Sequence, residues 1–236
     1  MSSSGKRILV ALDFPTLDKA SALVQRLRSK TGFKAGMELC TAEGVPAVVE
    51  ATGEDVFLDL KFDDIPNTIA GAVKAAARHH VKMLNVHCSG GPAMKAARQA
   101  ADEVFVNTNG YRPLLIGVTV LTSHTRESLA AIGIDPNLSI EELVTKRAIL
   151  AMESGLDGVV CSPQEIKAVR KAVCDEGFLI ITPGIRGKDA PPDDQKRTMT
   201  AREAVDLGAN YLVIGRPITN DPEPEAAADR FIEEIS

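Results

Sequence analysis

Asp59 and Lys61 stand two residues apart where an apolar run, Val56-Phe57-Leu58, comes to an end. The stretch continues to Thr68 as Asp-Leu-Lys-Phe-Asp-Asp-Ile-Pro-Asn-Thr. Charges at the mouth of a buried strand are expensive to desolvate unless they are paired. Strand side chains alternate in direction, so Asp59 and Lys61 are expected on one face. The pattern suggests a site that holds a carboxylate and an ammonium side by side, with Asp64 just beyond.

Other polar residues fall at the ends of apolar runs in the same way. They are Asp13, Lys34, Asn85 and His87, Thr122 and Ser123, then Pro183-Gly184-Ile185-Arg186, and finally Gly215-Arg216. In the last two, an arginine closely follows a glycine. Glycine lets backbone approach an anion, and the guanidinium fork suits phosphate oxygens. Between them, residues 188–197 form a polar stretch without helical period that includes Gln195. A loop of that length in a compact domain often acts as a lid.

Each residue also has a plainer reading. Asp13 could cap the turn that follows it, and Asp64 or Asp63 could cap a helix opening at Pro66. Lys34 taken alone reads as a solvated lysine, Arg186 as a salt-bridge partner, and His87 as a hydrogen-bonded structural histidine. His79, His80 and His124 read as surface or loop residues. Asp59 and Lys61 resist such readings best.

The elements that must position these residues alternate throughout. Strands are expected over 7–13, 33–37, 56–61, 83–87, 114–121, 158–161, 178–182 and 211–214. Helices are expected over 16–28, 42–51, 69–79, 92–103, 140–153, 163–173 and 225–235. A polar loop is expected after the fifth strand. Most strands are apolar on both faces, as buried parallel strands are. Eight units in 236 residues fit an α/β fold of the (β/α)8 TIM-barrel type, in which the C-terminal strand ends share one mouth. An open doubly wound sheet would want a glycine-rich turn after the first strand, where the chain has Asp13-Phe14-Pro15-Thr16. No linker divides residues 1–236, so a single domain is expected.

Composition limits the function. The chain is 44% hydrophobic and 25% charged with a net charge of -5, which does not recommend a nucleic-acid partner. An anionic substrate must therefore be held by local bases. Cys40, Cys88, Cys161 and Cys174 form no Cys-x-x-Cys pair and sit in or beside apolar segments, which reads as buried, reduced thiols. Residues 1–6 lack the apolar core of a signal peptide, and no run of 18 apolar residues occurs. A cytoplasmic protein without a membrane partner is expected.

The run from Asp59 to Thr68 resembles the signature of the orotidine 5′-phosphate decarboxylase family. The likeness extends in order through Val10-Ala11-Leu12-Asp13, Lys34-Ala35-Gly36, Asn85-Val86-His87 and the stretch from Val118 to Ser123. It continues through 157–162, Thr182-Pro183-Gly184-Ile185-Arg186 and the stretch from Val213 to Ile218. The resemblance implies a homodimeric barrel of de novo pyrimidine synthesis that converts orotidine 5′-monophosphate into UMP without metal or organic cofactor. It implies that Lys34, Asp59, Lys61 and Asp64 form an alternating charge array, with Lys61 delivering a proton to pyrimidine C6. By the same resemblance, Asp64 and Thr68 reach into the partner subunit's site, and Asp13 and Lys34 bind ribose hydroxyls. Thr122 and Ser123 meet the pyrimidine, while Arg186, Gln195, Gly215 and Arg216 hold the phosphate. Asp63 receives no role.

Two rivals remain open on sequence. Related barrels with an Asp-x-Lys strand decarboxylate or condense sugar phosphates with a metal. They need neighbouring acidic ligands, for which Glu38 and Asp59 are the tempting pair. A catalytically idle phosphate-binding barrel would keep both arginines, but it has no need of the full Lys34, Asp59, Lys61 and Asp64 set.

Overall fold

The eight apolar runs pair in parallel, each with its neighbours in sequence, and close into a barrel. The strands are β1 (Ile8–Ala11), β2 (Gly32–Gly36), β3 (Val56–Phe62), β4 (Met83–His87), β5 (Leu114–Val118), β6 (Gly158–Val160), β7 (Leu179–Thr182) and β8 (Tyr211–Ile214). The structure is a computed structural model and describes residues 5–53, 55–108, 110–187 and 198–236. The helices among them are α1 (Leu17–Leu27), α2 (Met37–Glu43), α3 (Val45–Thr52), α4 (Pro66–Ala77), α5 (Gly91–Asn107) and α6 (Arg126–Ala131). They continue with α7 (Ile140–Glu153), α8 (Ile166–Val173), α9 (Ala201–Asp206), α10 (Arg216–Thr219) and α11 (Pro224–Glu234). This is the (β/α)8 barrel expected from the sequence.

Both faces of the strands are apolar because each meets a different core. Ile8, Val10, Val56, Leu58, Leu115 and Ile180 point outward against the helices. Leu9, Phe57, Met83, Ile116 and Ile181 point inward and fill the barrel. One further step along each strand, the same inward phase yields Asp59 after Phe57 and Asn85 after Met83. The polar layer therefore stands directly on a dry floor, at the C-terminal end where barrel function gathers. A larger groove of about 710 Å³ opens at the opposite end, where Thr31, Asp55 and Lys82 precede their strands. That end of a barrel serves stability.

The structure departs from the sequence reading in several elements. The single helix expected over 42–51 becomes α2 and α3, because Gly44 takes a left-handed φ of 79° and Pro46 opens a new first turn. β5 stops at Val118, short of the expected 121. The polar loop after it contains α6, closed by a reciprocal capping box between Thr125 and Ser128. A 3-10 turn, Pro163–Glu165, precedes α8. After β7 a short helix not foreseen in the sequence, α9, is capped by Thr200 and Glu203. Cys40, Cys88 and Cys161 are buried as expected, but Cys174 is exposed, because it ends α8 in a left-handed turn on the surface. Among the described residues no helix is long and apolar enough to cross a membrane.

Candidate active site

β3 is irregular where its charges lie. Leu58 pairs with Leu84 and Phe62 with Val86, so Asp59, Leu60 and Lys61 together face Asn85 alone. This is a bulge, and Lys61 takes a left-handed φ of 53° within it. Such backbone in a non-glycine residue costs roughly 1–3 kcal/mol and persists only where the surroundings hold it. The expected pairing of Asp59 with Lys61 is present, with Lys61 Nζ 2.8 Å from Asp59 Oδ1. Its cause is this bulge rather than regular strand alternation.

The Asp59 carboxylate is the hub. Its Oδ1 also accepts from Asn85 Nδ2 at 2.7 Å, and its Oδ2 lies 3.7 Å from Lys34 Nζ. Lys34 in turn donates to Asp13 Oδ1 at 2.6 Å. Asp13, Lys34, Asp59 and Lys61 thus form one chain of alternating charge across three adjacent strand ends. The Lys34 side chain is only 8% exposed and that of Asp59 17%, whereas Asp13 is 63% exposed. Partial burial makes these attractions stronger than surface pairs and also makes an unpaired member costly. The capping reading of Asp13 does not hold, since Thr16 is the N-cap of α1. Nor does the solvated reading of Lys34.

Asp59 and Lys61 line a cavity of about 150 Å³ with Phe57, Val118, Thr122 and Val213. Ser123 is exposed, and neither it nor Asp64, Thr68, Arg186 or Arg216 lines that cavity. Cys161 lies in its wall, and Cys88 is buried after β4. Burial pushes the Cys88 thiol up to about 12 and raises that of Cys161 as well, so both are held as neutral thiols.

Residues 63–68, just past β3, are exposed throughout. Ser89 Oγ donates to Asp63, which ties the end of β3 to the loop after β4. Asp64 Oδ1 accepts from the Ile65 backbone at 2.7 Å, but the N-cap of α4 is Ile65, so neither aspartate caps that helix. Ile65 is 67% exposed and Met37, just past the adjacent strand β2, is 56% exposed.

Arg186 follows β7 on a segment fixed by reciprocal backbone bonds with Met199. Arg186 N donates to Met199 O at 3.0 Å, and Met199 N to Gly184 O at 3.2 Å. The Arg186 guanidinium also donates to Ile185 O at 2.8 Å. Gly215 and the exposed Arg216 follow the neighbouring strand β8 at the same barrel end. Gln195 and the expected lid at 188–197 lie outside the described residues.

His87, at the end of β4, has its pKa lowered chiefly by burial, with Asp63 opposing and Lys61 reinforcing the shift. Among the described residues no three His, Cys, Asp or Glu side chains gather as a metal site. Sequence reasoning gave Asn85 no role. Its signal in the sequence was an amide two residues after Met83 in an otherwise apolar run, and the structure buries it fully.

The sequence model of the Orotidine 5'-phosphate decarboxylase / HUMPS family matches residues 6–231. The chain is 49% identical to the orotidine 5'-phosphate decarboxylase of Pseudomonas aeruginosa, with 100% of each chain covered. It is 51% identical to that of Moorella thermoacetica, over 97% of this chain and 92% of the relative. Among solved structures, the orotidine 5'-phosphate decarboxylase of Lactobacillus acidophilus superposes with a TM-score of 0.85 at 31% identity, covering 98% and 99% of the two chains.

Proposed function

The chain belongs to the Orotidine 5'-phosphate decarboxylase / HUMPS family, and on that footing we propose that it is a carboxy-lyase converting orotidine 5′-monophosphate into UMP and carbon dioxide in pyrimidine biosynthesis. The observation that carries this reading is the chain of contacts from Asp13 through Lys34 and Asp59 to Lys61 at the barrel mouth.

Loss of carbon dioxide from C6 leaves an electron pair in an sp² orbital that the ring cannot delocalise. The protein must then supply positive charge beside C6 and a proton to quench it. Lys61 meets both needs, as the cation facing the developing carbanion and as the acid that transfers its proton to C6. Asp59 anchors that ammonium at 2.8 Å, and in this reading its charge also crowds the departing carboxylate. The reaction proceeds with no metal or organic cofactor. Asp13 and Lys34 bind ribose hydroxyls, and Thr122 and Ser123 meet the pyrimidine. Arg186, Gln195, Gly215 and Arg216 hold the phosphate. Binding energy from that remote group organises the site about the reacting carbon.

The working unit is a homodimer of single-domain barrels in the cytoplasm. Asp64 and Thr68 of each chain complete the partner's site. The exposed Ile65, next to Asp64 in sequence, and the exposed Met37, just past the adjacent strand β2, support this assignment, because they leave apolar surface at this barrel end that a second copy would cover. Purified protein is expected to abolish the orotidine absorbance of the substrate with or without EDTA. No spectral change with folded dimer refutes the decarboxylase reading. Loss of activity in EDTA with recovery on adding Mg²⁺ favours the metal-dependent sugar-phosphate chemistry.

A further inference from the structure

We propose that Asn85 is a positioning residue whose buried carboxamide sets the Asp59–Lys61 pair by closing the β3 bulge. The inference deepens the decarboxylase reading and rests on it for its kinetic part. Three residues of β3 stand opposite Asn85 alone, so regular ladder bonds cannot serve them all. The Asn85 side chain replaces what the ladder lacks. Its Oδ1 accepts from the Lys61 backbone N–H at 2.7 Å, and its Nδ2 donates to Asp59 Oδ1 at 2.7 Å. One planar group thereby fixes the main chain of the lysine and the carboxylate of its partner at the same time.

The side chain is specific for this task. Asn85 is 0% exposed, so water does not substitute for either bond. A carboxylate would keep the acceptor toward Lys61 and lose the donor toward Asp59, and an aliphatic residue would lose both. The left-handed backbone at Lys61 decides where its ammonium emerges. It is held by the bond from its own N–H, as strained backbone at functional sites must be by its surroundings.

The test uses crystal structures and kinetics of the full-length Asn85→Ala and Asn85→Asp proteins. In Asn85→Ala, Lys61 is expected to leave the left-handed region or its ammonium to move out of contact with Asp59. kcat is expected to fall about 10²-fold, the effect of an ångström-scale misplacement of a catalytic group, with KM within about threefold, since the amide is fully engaged by protein. In Asn85→Asp, the introduced carboxyl faces Asp59, and its protonation at lower pH restores a donor. Its activity relative to the unsubstituted enzyme should therefore rise as pH falls, a response that a merely structural role would not produce. An Asn85→Ala protein with unchanged Lys61 geometry, or a loss confined to KM, overturns the proposal. Should the unsubstituted protein leave orotidine 5′-monophosphate unchanged, the decarboxylase reading falls, and the variant crystal structures alone decide the positioning claim. If Asn85→Ala does not fold, the near-isosteric Asn85→Asp decides by its pH response and its structure, and a wild-type pH profile overturns the proposal.

Discussion

Replacing Asp59 by asparagine removes one negative charge from between two lysines without changing the shape of the side chain. Lys61 loses its carboxylate at 2.8 Å and Lys34 its second carboxylate at 3.7 Å, while Lys34 keeps Asp13 at 2.6 Å. Taking one partner from a fully buried pair costs about 3–5 kcal/mol. Here the Asp59 side chain is 17% and that of Lys61 25% exposed, so water recovers part of the loss. A net destabilisation of about 2 kcal/mol follows. In a chain of this length, that lowers Tm by about 4–8 °C.

The kinetic effect is expected to be larger. With Lys61 as the proposed acid, loss of its anchor forfeits much of the roughly 10²–10⁴-fold that positioned proton transfer supplies. A fall in kcat of at least about 10²-fold, or about 2.7 kcal/mol of lost transition-state stabilisation, is expected. Asp13→Asn is the internal control, because it also strips a carboxylate from Lys34. Its carboxylate is 63% exposed, so the stability cost is about 0–1 kcal/mol, and its kinetic effect is expected in KM. Thermal melts, together with absorbance-based turnover measured across substrate concentrations up to saturation, measure all four quantities. If Asp59→Asn keeps kcat within about tenfold, or if Asp13→Asn destabilises the protein more, the reasoning from burial and contact is wrong.

On the proposed phosphate role of Arg216, in which binding energy from that group organises the site, Arg216→Ala is expected to lower kcat at saturation as well as raise KM; a rise in KM alone refutes this. Burial holds the His87 pKa below its unfolded value of roughly 6.5, so the unfolded chain binds the proton more readily. Stability should therefore decline as pH falls below about 6.5, and His87→Gln should flatten that decline in denaturant midpoints measured across the window. Gly158→Ala would set a Cβ 2.3 Å from Leu179 O, backbone that cannot step aside. Destabilisation of about 3 kcal/mol or more is expected, and near-normal Tm would refute the packing described at β6–β7.

Much of the fold was legible because a barrel imposes long, simple patterns. Strands apolar on both faces mark themselves, and α7 over Ile140–Glu153 shows its period and its Ser139 cap plainly. The short helices were hidden for the opposite reason. α6, α9 and α10 span 6, 6 and 4 residues, too few to display a helical period. α9 did leave a trace, since Thr200 and Glu203 fit the capping-box spacing. Gly44-Val45-Pro46 likewise announced the break between α2 and α3. Within the site, Asp13 and Lys34 could be joined only through the barrel, because 21 residues separate them in sequence. The bulge in β3 left no mark in residue types, since Asp-Leu-Lys reads as regular alternation whichever way the backbone turns.

The contacts also separate the two lysines in a way that charge and spacing do not. Lys34 is the more enclosed and lies between two carboxylates, Asp13 and Asp59, so its ammonium is committed to holding the array together. Lys61 has one carboxylate partner among the described residues, at 2.8 Å, and lines the cavity. An ammonium carries three donors. One is directed at Asp59, and the others are available to a substrate atom in that cavity. A proton donor needs this combination, an anchor that fixes direction and an N–H that the protein does not consume. These contacts favour the proposed assignment of Lys61 as donor and Lys34 as scaffold, and the bulge that sets the Lys61 backbone is what makes two otherwise similar residues differ.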